Sequence, residues 1–290
     1  MGGETFLKHR IEQAAEHERL VSGSDDPMAS LISVEINVMD ACNRVCGFCP
    51  HSDQKIYPNR YDWKMSPSTS EILAAQLAAI RFKGRVSISG YGEPLLSKDI
   101  YRHIEIYRAA LPNNAIEMNT NADTLTSDRI NKLFEAGLSQ IYVNLYDGEH
   151  QVGLITEMFR EAGVDRYIMR QHWAPEESFG LILNNRSGIV NPTKQAMNKR
   201  CHYPFYKLFV DWNGNVQFCA NDWGRNIIVG NILETPVQDI WMSEQMKAIR
   251  LRLAKGDRSQ KPCNVCDVDG TLHSQFSFDT LMAYYDRKPA

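Results

Sequence analysis

At 290 residues and 43% hydrophobic content, the chain suits one large domain or up to two ordinary ones, which excludes a small disulfide-stapled scaffold. A net charge of −3 without any polybasic run excludes a nucleic-acid patch or an anionic-membrane patch. The charged start, "MGGETFLKHRIEQAAEHERL", lacks the apolar run of a signal peptide and no later stretch is long and apolar enough to span a bilayer, so the expectation is a cytoplasmic chain with no nucleic-acid or membrane partner.

Residues 1–30 read as a helical extension. From about residue 33 short β-rich runs alternate with helical patterns. "SVEINVM" (33–39) is followed by a helix near 68–82, "RVSIS" (85–89) by a helix near 98–110, and "AIEMNTN" (115–121) by a helix near 126–136. "QIYVNLYD" (140–147), a helix near 150–162 and "DRYIMR" (165–170) continue the rhythm, which is that of βα units with a parallel sheet. Ser68 with Glu71 forms a capping-box pattern, and Gly137 and Gly163 stand where helices end. Five clear units are too few for a closed eight-fold barrel, so an open or partial barrel over residues 31–195 is expected.

The strands alternate apolar with polar. Val34, Ile36 and Val38 interleave with Glu35 and Asn37, Val86 and Ile88 with Ser87 and Ser89, Ile116 and Met118 with Glu117 and Asn119, and Ile141, Val143 and Leu145 with Tyr142, Asn144 and Tyr146. One face therefore packs on helices while the other faces a polar lumen, unlike the bulky branched filling of a closed barrel. After about residue 172 the rhythm breaks. A second module over 196–290 holds "LFVDWNGNVQFC" (208–219), read as a hairpin turning at Asn213-Gly214, a helix after Pro236, and "CNVC" (263–266) before a last helical segment.

Seven cysteines in a reducing compartment point to metal or cluster ligation, and their odd number leaves one unpaired in any disulfide scheme. Three of them, Cys42, Cys46 and Cys49, fall in "DACNRVCGFCPHS" directly after the first strand. Iron-sulfur cubanes normally take four thiolates, so three leave one iron open, as a catalytic zinc site leaves one position open. His51 is the residue that would instead complete a Cys3His zinc site.

The spacing Cys42-x3-Cys46-x2-Cys49, with Phe48 before the third cysteine, resembles the radical S-adenosylmethionine (radical SAM) superfamily motif. "SGYGEP" (89–94) resembles that family's Gly-Gly-Glu motif, with Gly90, Gly92 and Glu93 present and Tyr91 in place of the first glycine. "MNTN" (118–121) and "VNLYD" (143–147) resemble its ribose- and methionine-contacting segments. The resemblance covers about residues 31–172 and implies a partial (βα)6, TIM-like barrel of the α/β class. It also implies a first [4Fe-4S] cluster with S-adenosylmethionine chelated at the open iron. By the same carry-over, Glu93 would accept from the methionine ammonium, Phe48 would pack by the adenine, Thr120 and Asn144 would contact ribose and carboxylate, and Arg170 would contact SAM or substrate.

Cys201, Cys219, Cys263 and Cys266 follow a C-x17-C, then C-x2-C pattern in the second module, unlike the two close pairs of a zinc ribbon. They resemble the shortened SPASM module, or twitch domain, a small α+β auxiliary domain binding one [4Fe-4S] cluster, as in radical SAM dehydrogenases of aminocyclitols. All seven cysteines are then assigned, three and four. No thiol is left to return a hydrogen to a substrate radical, which favours net oxidation with the auxiliary cluster taking an electron.

The resemblance implies a radical SAM oxidoreductase dehydrogenating a polar small molecule such as an aminocyclitol or sugar, fed by a flavodoxin- or ferredoxin-type electron donor. A maturase acting on a ribosomal peptide and a zinc-stabilised binding module are the competing readings. Arg186 in "LNNRSG" (183–188) is the expected substrate contact, with His172 and Trp173 as weaker candidates.

Overall fold

The computed structural model describes residues 2–172, 184–190, 195–272 and 274–287, with side chains from Lys8 onward. After α1 (Gly2–Val21) come β1 (Ser33–Asn37), β2 (Met39–Asp40), β3 (Arg60–Lys64), α2 (Pro67–Ala79), β4 (Arg85–Ser89), α3 (Ile100–Ala110) and β5 (Ile116–Thr120). Then follow α4 (Ser127–Glu135), β6 (Gln140–Leu145), α5 (His150–Ala162), β7 (Tyr167–Gln171), α6 (Tyr203–Tyr206), β8 (Lys207–Val210) and β9 (Asn215–Gln217). The chain ends with β10 (Ile228–Asn231), α7 (Val237–Trp241), α8 (Glu244–Ala254) and α9 (Gln275–Arg287).

One eight-stranded sheet runs in the order β10-β9-β8-β1-β4-β5-β6-β7, with every neighbouring pair from β8 to β7 parallel. The alternation read from the sequence holds. Val34, Ile36, Val86, Ile88, Ile116, Met118, Ile141, Val143 and Leu145 are completely buried in the main core, and Glu35, Ser87, Ser89, Asn119, Asn144 and Tyr146 line a cavity on the other face.

The sixth parallel strand comes from an unexpected place. β8 was expected to belong only to a hairpin of the second module, but it also pairs parallel with β1, Val34 opposite Leu208 and Ile36 opposite Val210. Leu208, Phe209 and Val210 are almost fully buried, as a strand covered on both faces requires. The hairpin also forms, Phe209 opposite Gln217, with Gly214 at φ +84 closing its turn. The sheet therefore passes from barrel to second module without a break.

The capping-box reading of Ser68 needs correction. Ser66 is the cap of α2, its Oγ accepting from the Thr69 amide at 3.1 Å. Pro67, with φ fixed and no N–H to satisfy, takes the first helical position and puts Ser68 inside the helix. Glu71 turns outward to Arg102 at 2.9 Å. Gly163 caps α5 with φ +68, as its position indicated.

The N-terminal helix reaches into the barrel. Arg10 donates to Glu117 at 2.6 Å, its guanidinium lies 4.4 Å over the Tyr142 ring, and Gln13 also donates to Glu117. Burial pushes the Glu117 carboxyl up, but Arg10 and Arg85 beside it hold it below the usual range, so it is ionised. Among the described residues no helix is long and apolar enough to cross a membrane.

Candidate active site and cysteine centres

The loop from Ala41 to Pro50 is fastened at several points. The Asn59 side chain accepts from the Cys42 amide at 2.8 Å and donates to the Cys42 carbonyl at 3.0 Å. Arg44 grips both Asp123, after β5, and Asp147, after β6, through forked hydrogen bonds. Such paired forks fix the loop to two strand ends and neutralise the Arg44 charge. Gly92 lets the loop approach, since a Cβ there would sit 2.2 Å from the Met39 carbonyl and 2.5 Å from that of Ala41. Gly90, at φ +103, also lies close against Asn37, where a Cβ would fall 2.8 Å from the side chain.

Cys42, Cys46 and Cys49 all line a cavity of about 710 Å³. Burial pushes the Cys42 thiol up to about 11 and raises Cys46 and Cys49 as well. Among the described residues no three His, Cys, Asp or Glu side chains converge closely enough for a single metal ion. His51 is no exception: it is 1% exposed, bonds the Tyr91 carbonyl through Nε2 at 2.8 Å and sits edge-on to Tyr57 and Trp223. Three cysteines lining one wide cavity, with no histidine or carboxylate among the described residues gathered with them into a single-ion site, suit a cluster better than one ion.

Glu93 is 3% exposed at the same cavity. Its Oε1 accepts from the Leu95 amide at 2.9 Å and the Thr120 hydroxyl at 2.7 Å, and its Oε2 from the Asn121 amide at 2.8 Å. Burial pushes the Glu93 carboxyl above the usual range and outweighs these three donors, which pull it down. Oε2 keeps an acceptor position for an incoming cationic donor. Thr120 has its hydroxyl committed, donating to Glu93 and accepting from the Ala122 amide at 3.0 Å.

Phe48 stacks on His172 at 5.5 Å and Tyr146 at 5.9 Å, and the latter two rings lie 4.8 Å apart at 16°. Burial pulls His172 down to about 3, so the stack is neutral. Asn144 donates to the Thr120 carbonyl at 3.2 Å, which turns its Oδ1 toward His172 Nε2 at 3.1 Å. Tyr146 was legible only as a lumen position, and His172 only as a barrel-end aromatic. Their joint stack with Phe48 needed the fold. Trp173 lies outside the described residues.

Deeper in, Glu35 accepts from Lys207 and from Ser89, each at 2.6 Å. Burial raises the Glu35 carboxyl, but Lys207 beside it wins and keeps it ionised. Arg170 also lines this cavity, its guanidinium pulled down to about 10 by burial. Arg186 enters from the segment 184–190 with φ +51, its guanidinium 6.0 Å over the Trp223 ring. That segment is held by the second module: the Asn185 amide N–H donates to Asp267 at 2.8 Å and its side chain to the Val265 carbonyl at 2.7 Å.

Cys201, Cys219, Cys263 and Cys266 line one separate pocket with Phe218, Leu253 and Arg258. All seven cysteines are free thiols. Burial pushes Cys201 up to about 12 and raises the other three. Four thiols lining one largely apolar pocket, with the Asn221 amide 3.4 Å from Cys219 Sγ, fit a group that takes thiolates and accepts N–H···S hydrogen bonds.

The two centres are locked to one another. Tyr91, the residue that replaces a motif glycine, is 1% exposed and donates to Gln217 Oε1 at 2.6 Å, close to the Asp222 carbonyl. Arg225 bridges Asp40 at 2.7 Å and Asp211 at 2.6 Å, and Tyr57 donates to Asp40 at 2.8 Å.

Residues 36–176 match the radical SAM superfamily, and residues 201–267 match SPASM, an iron-sulfur cluster-binding domain. The chain is 31% identical over 250 residues to the S-adenosyl-L-methionine-dependent 2-deoxy-scyllo-inosamine dehydrogenase of Niallia circulans, covering 84% of this chain and 96% of that protein. Among solved structures it is similar to BtrN in complex with AdoMet and 2-DOIA, at 27% identity and a TM-score of 0.73 over 84% of this chain and 96% of that one. BtrN in an open conformation follows at 26% identity and a TM-score of 0.63 over 82% and 92%. The enzyme anSMEcpe with bound AdoMet, at 14% identity and a TM-score of 0.52 over 89% and 98%, shares the fold alone.

Proposed function

The chain belongs to the radical SAM superfamily and carries a SPASM domain, and from that premise we propose that it dehydrogenates a secondary alcohol of an aminocyclitol. It is a radical SAM oxidoreductase whose cofactors are [4Fe-4S] clusters and S-adenosylmethionine. When bound, these supply a 5′-deoxyadenosyl radical that takes a hydrogen atom from a C–H bond, and an acceptor for the one electron left after proton loss.

Cys42, Cys46 and Cys49 would hold the first cluster, and Cys201, Cys219, Cys263 and Cys266 the second. Glu93, with its remaining acceptor position, would take the ammonium of SAM, and Thr120 would hold that carboxylate in place. The flat neutral stack of Phe48, His172 and Tyr146 suits a heteroaromatic ring. Gly90 and Gly92 let the surrounding backbone close in. Asn144 and Arg170 offer further polar contacts on the same wall.

The cavity is also lined by an ionised carboxylate, Glu35, by Lys207 and by Arg186, which we read as the substrate's partners. These complement a ring bearing an amine and several hydroxyls. Arg186 would orient the reacting hydroxyl and favour its loss of a proton. The observation that carries the proposal is that this one cavity joins the first cysteine set to that polar lumen and, among the described residues, contains no thiol besides those three. A substrate radical formed there has no sulfur-bound hydrogen to recover, which leaves oxidation as its exit. A flavodoxin- or ferredoxin-type protein would supply the reducing electron.

The test is anaerobic turnover of the reduced protein with SAM and 2-deoxy-scyllo-inosamine. A product two mass units lighter, formed with one 5′-deoxyadenosine per turnover, is expected. Modification of a leader-bearing peptide alone, or a colourless protein holding zinc and no iron, would overturn the proposal.

A further inference from the structure

Arg258 is 2% exposed, and among the described residues no carboxylate pairs with it. Its donors go instead to backbone carbonyls, with Nη1 also 3.8 Å from Met197 Sδ. Nε reaches Lys199 at 2.8 Å, Nη2 reaches Arg200 at 2.9 Å and Asp269 at 2.7 Å, and Nη1 reaches Val268 at 2.5 Å. Lys199 and Arg200 lead into Cys201, and Val268 and Asp269 lead out of Cys266. One guanidinium thus ties together the segments that enter and leave the four-cysteine pocket, which it also lines.

The charge lies beside the pocket's sulfur. A Cβ built on Gly270 would fall 2.8 Å from Cys201 Sγ and 2.9 Å from Arg258 Nη2, so sulfur and cation both crowd the space that a residue without a side chain leaves. Gly270 has φ +82, which favours glycine on backbone grounds as well. Carbonyl dipoles satisfy the donors but carry no net charge, and a buried cation without an anion is costly. Arg44 at the first cysteine set differs, because Asp123 and Asp147 already balance it.

We propose that Arg258 is a built-in counter-charge of the auxiliary cluster, positioning the loops of Cys201 and Cys266 and raising the cluster's reduction potential. The inference rests on the reading that those four thiolates hold a cluster. Reduction adds one negative charge, so a fixed cation in a low-dielectric pocket stabilises the reduced state more than the oxidised one. Arg258 is a positioning residue: it touches neither substrate nor SAM, and acts on how readily an electron is accepted.

The experiment uses the full chain with Cys42, Cys46 and Cys49 changed to alanine, so that only the auxiliary cluster remains, and adds R258K or R258M. Iron content and the potential from EPR-monitored titration are measured. R258K, which keeps the charge, is expected to retain the cluster with the smaller shift, whereas R258M shifts the potential to more negative values or loses the iron. An R258M cluster at unchanged potential would overturn the counter-charge, and so would equal shifts or equal iron loss in R258K and R258M. Absence of iron in the parent with Arg258 intact would instead refute the four-thiolate cluster, a separate result.

Discussion

Asn185 donates its side-chain amide to the carbonyl of Val265, midway between Cys263 and Cys266, at 2.7 Å. Gly188 tightens the contact, since a Cβ there would fall 2.5 Å from Val265 Cγ2. The loop carrying Cys263 and Cys266 therefore helps set where Arg186 stands in the cavity. On the proposed reading, substrate orientation and electron acceptance would share one support.

Asn185→Ala should loosen Arg186 without touching the first cluster. Product formation is expected to fall roughly ten- to a hundred-fold, the scale at which a misplaced group costs rate. SAM cleavage should persist. Chromatography would show more 5′-deoxyadenosine per product than in the wild type; an unchanged ratio would contradict the shared support.

Glu93→Gln keeps the shape but removes the charge that would meet an ammonium. A charge-assisted hydrogen bond contributes about 1.5–3 kcal/mol, so SAM affinity should weaken by roughly one to two orders of magnitude. Equilibrium binding to the cluster-loaded protein checks this, with iron content unchanged. Thr120→Val, which removes a donor to Glu93, should weaken binding less.

Gly92→Ala would force the Met39 and Ala41 carbonyls aside, because its Cβ has no room. The loop of Cys42, Cys46 and Cys49 should then fail to hold its cluster, and iron should fall by about four per chain, the content of one cubane. Iron analysis and Mössbauer spectroscopy would show the auxiliary cluster retained.

Changing Cys263 and Cys266 together to alanine should remove the other cubane, again about four irons. Reductive SAM cleavage should continue while dehydrogenated product disappears. Full iron content in this variant would rule out a second cluster at these residues.

His103, fully buried and 2.8 Å from the Ser70 hydroxyl, is pulled by burial down to about 4. The unfolded chain binds that proton near pH 6.5, so between these values unfolding takes up a proton and stability falls as pH falls. From pH 7.5 to pH 5 the loss from this residue is about 2 kcal/mol. Urea unfolding at both pH values should show a smaller drop for His103→Gln.

Much of the barrel was legible because a polar lumen forces strict alternation on β1, β4, β5 and β6, and alternation is visible in sequence. The first cysteine triplet stood out for a related reason: thiol chemistry allows few roles, and Cys42, Cys46 and Cys49 sit in one short loop. What stayed hidden depends on distant pairing. Nothing near Lys207 announces that it will meet Glu35, and Arg10 meets Glu117 across 107 residues. Tyr91 read as a lapse from a motif because its partner, Gln217, lies in the other module. Ser66 was passed over because Ser68 with Glu71 matches the capping pattern, while Pro67 had already fixed where the helix starts.

The pairing of β8 with β1 bears on how such a protein can be rebuilt. A cut ahead of Lys207 would strip β1 of a neighbour and leave an open, apolar strand edge, a template for aggregation. It would also take away the lysine that balances Glu35 in the lumen. Grafting the carboxy-terminal portion from a relative would thus transplant part of the cavity wall with it, so on the proposed reading chimeras should inherit selectivity from both parents.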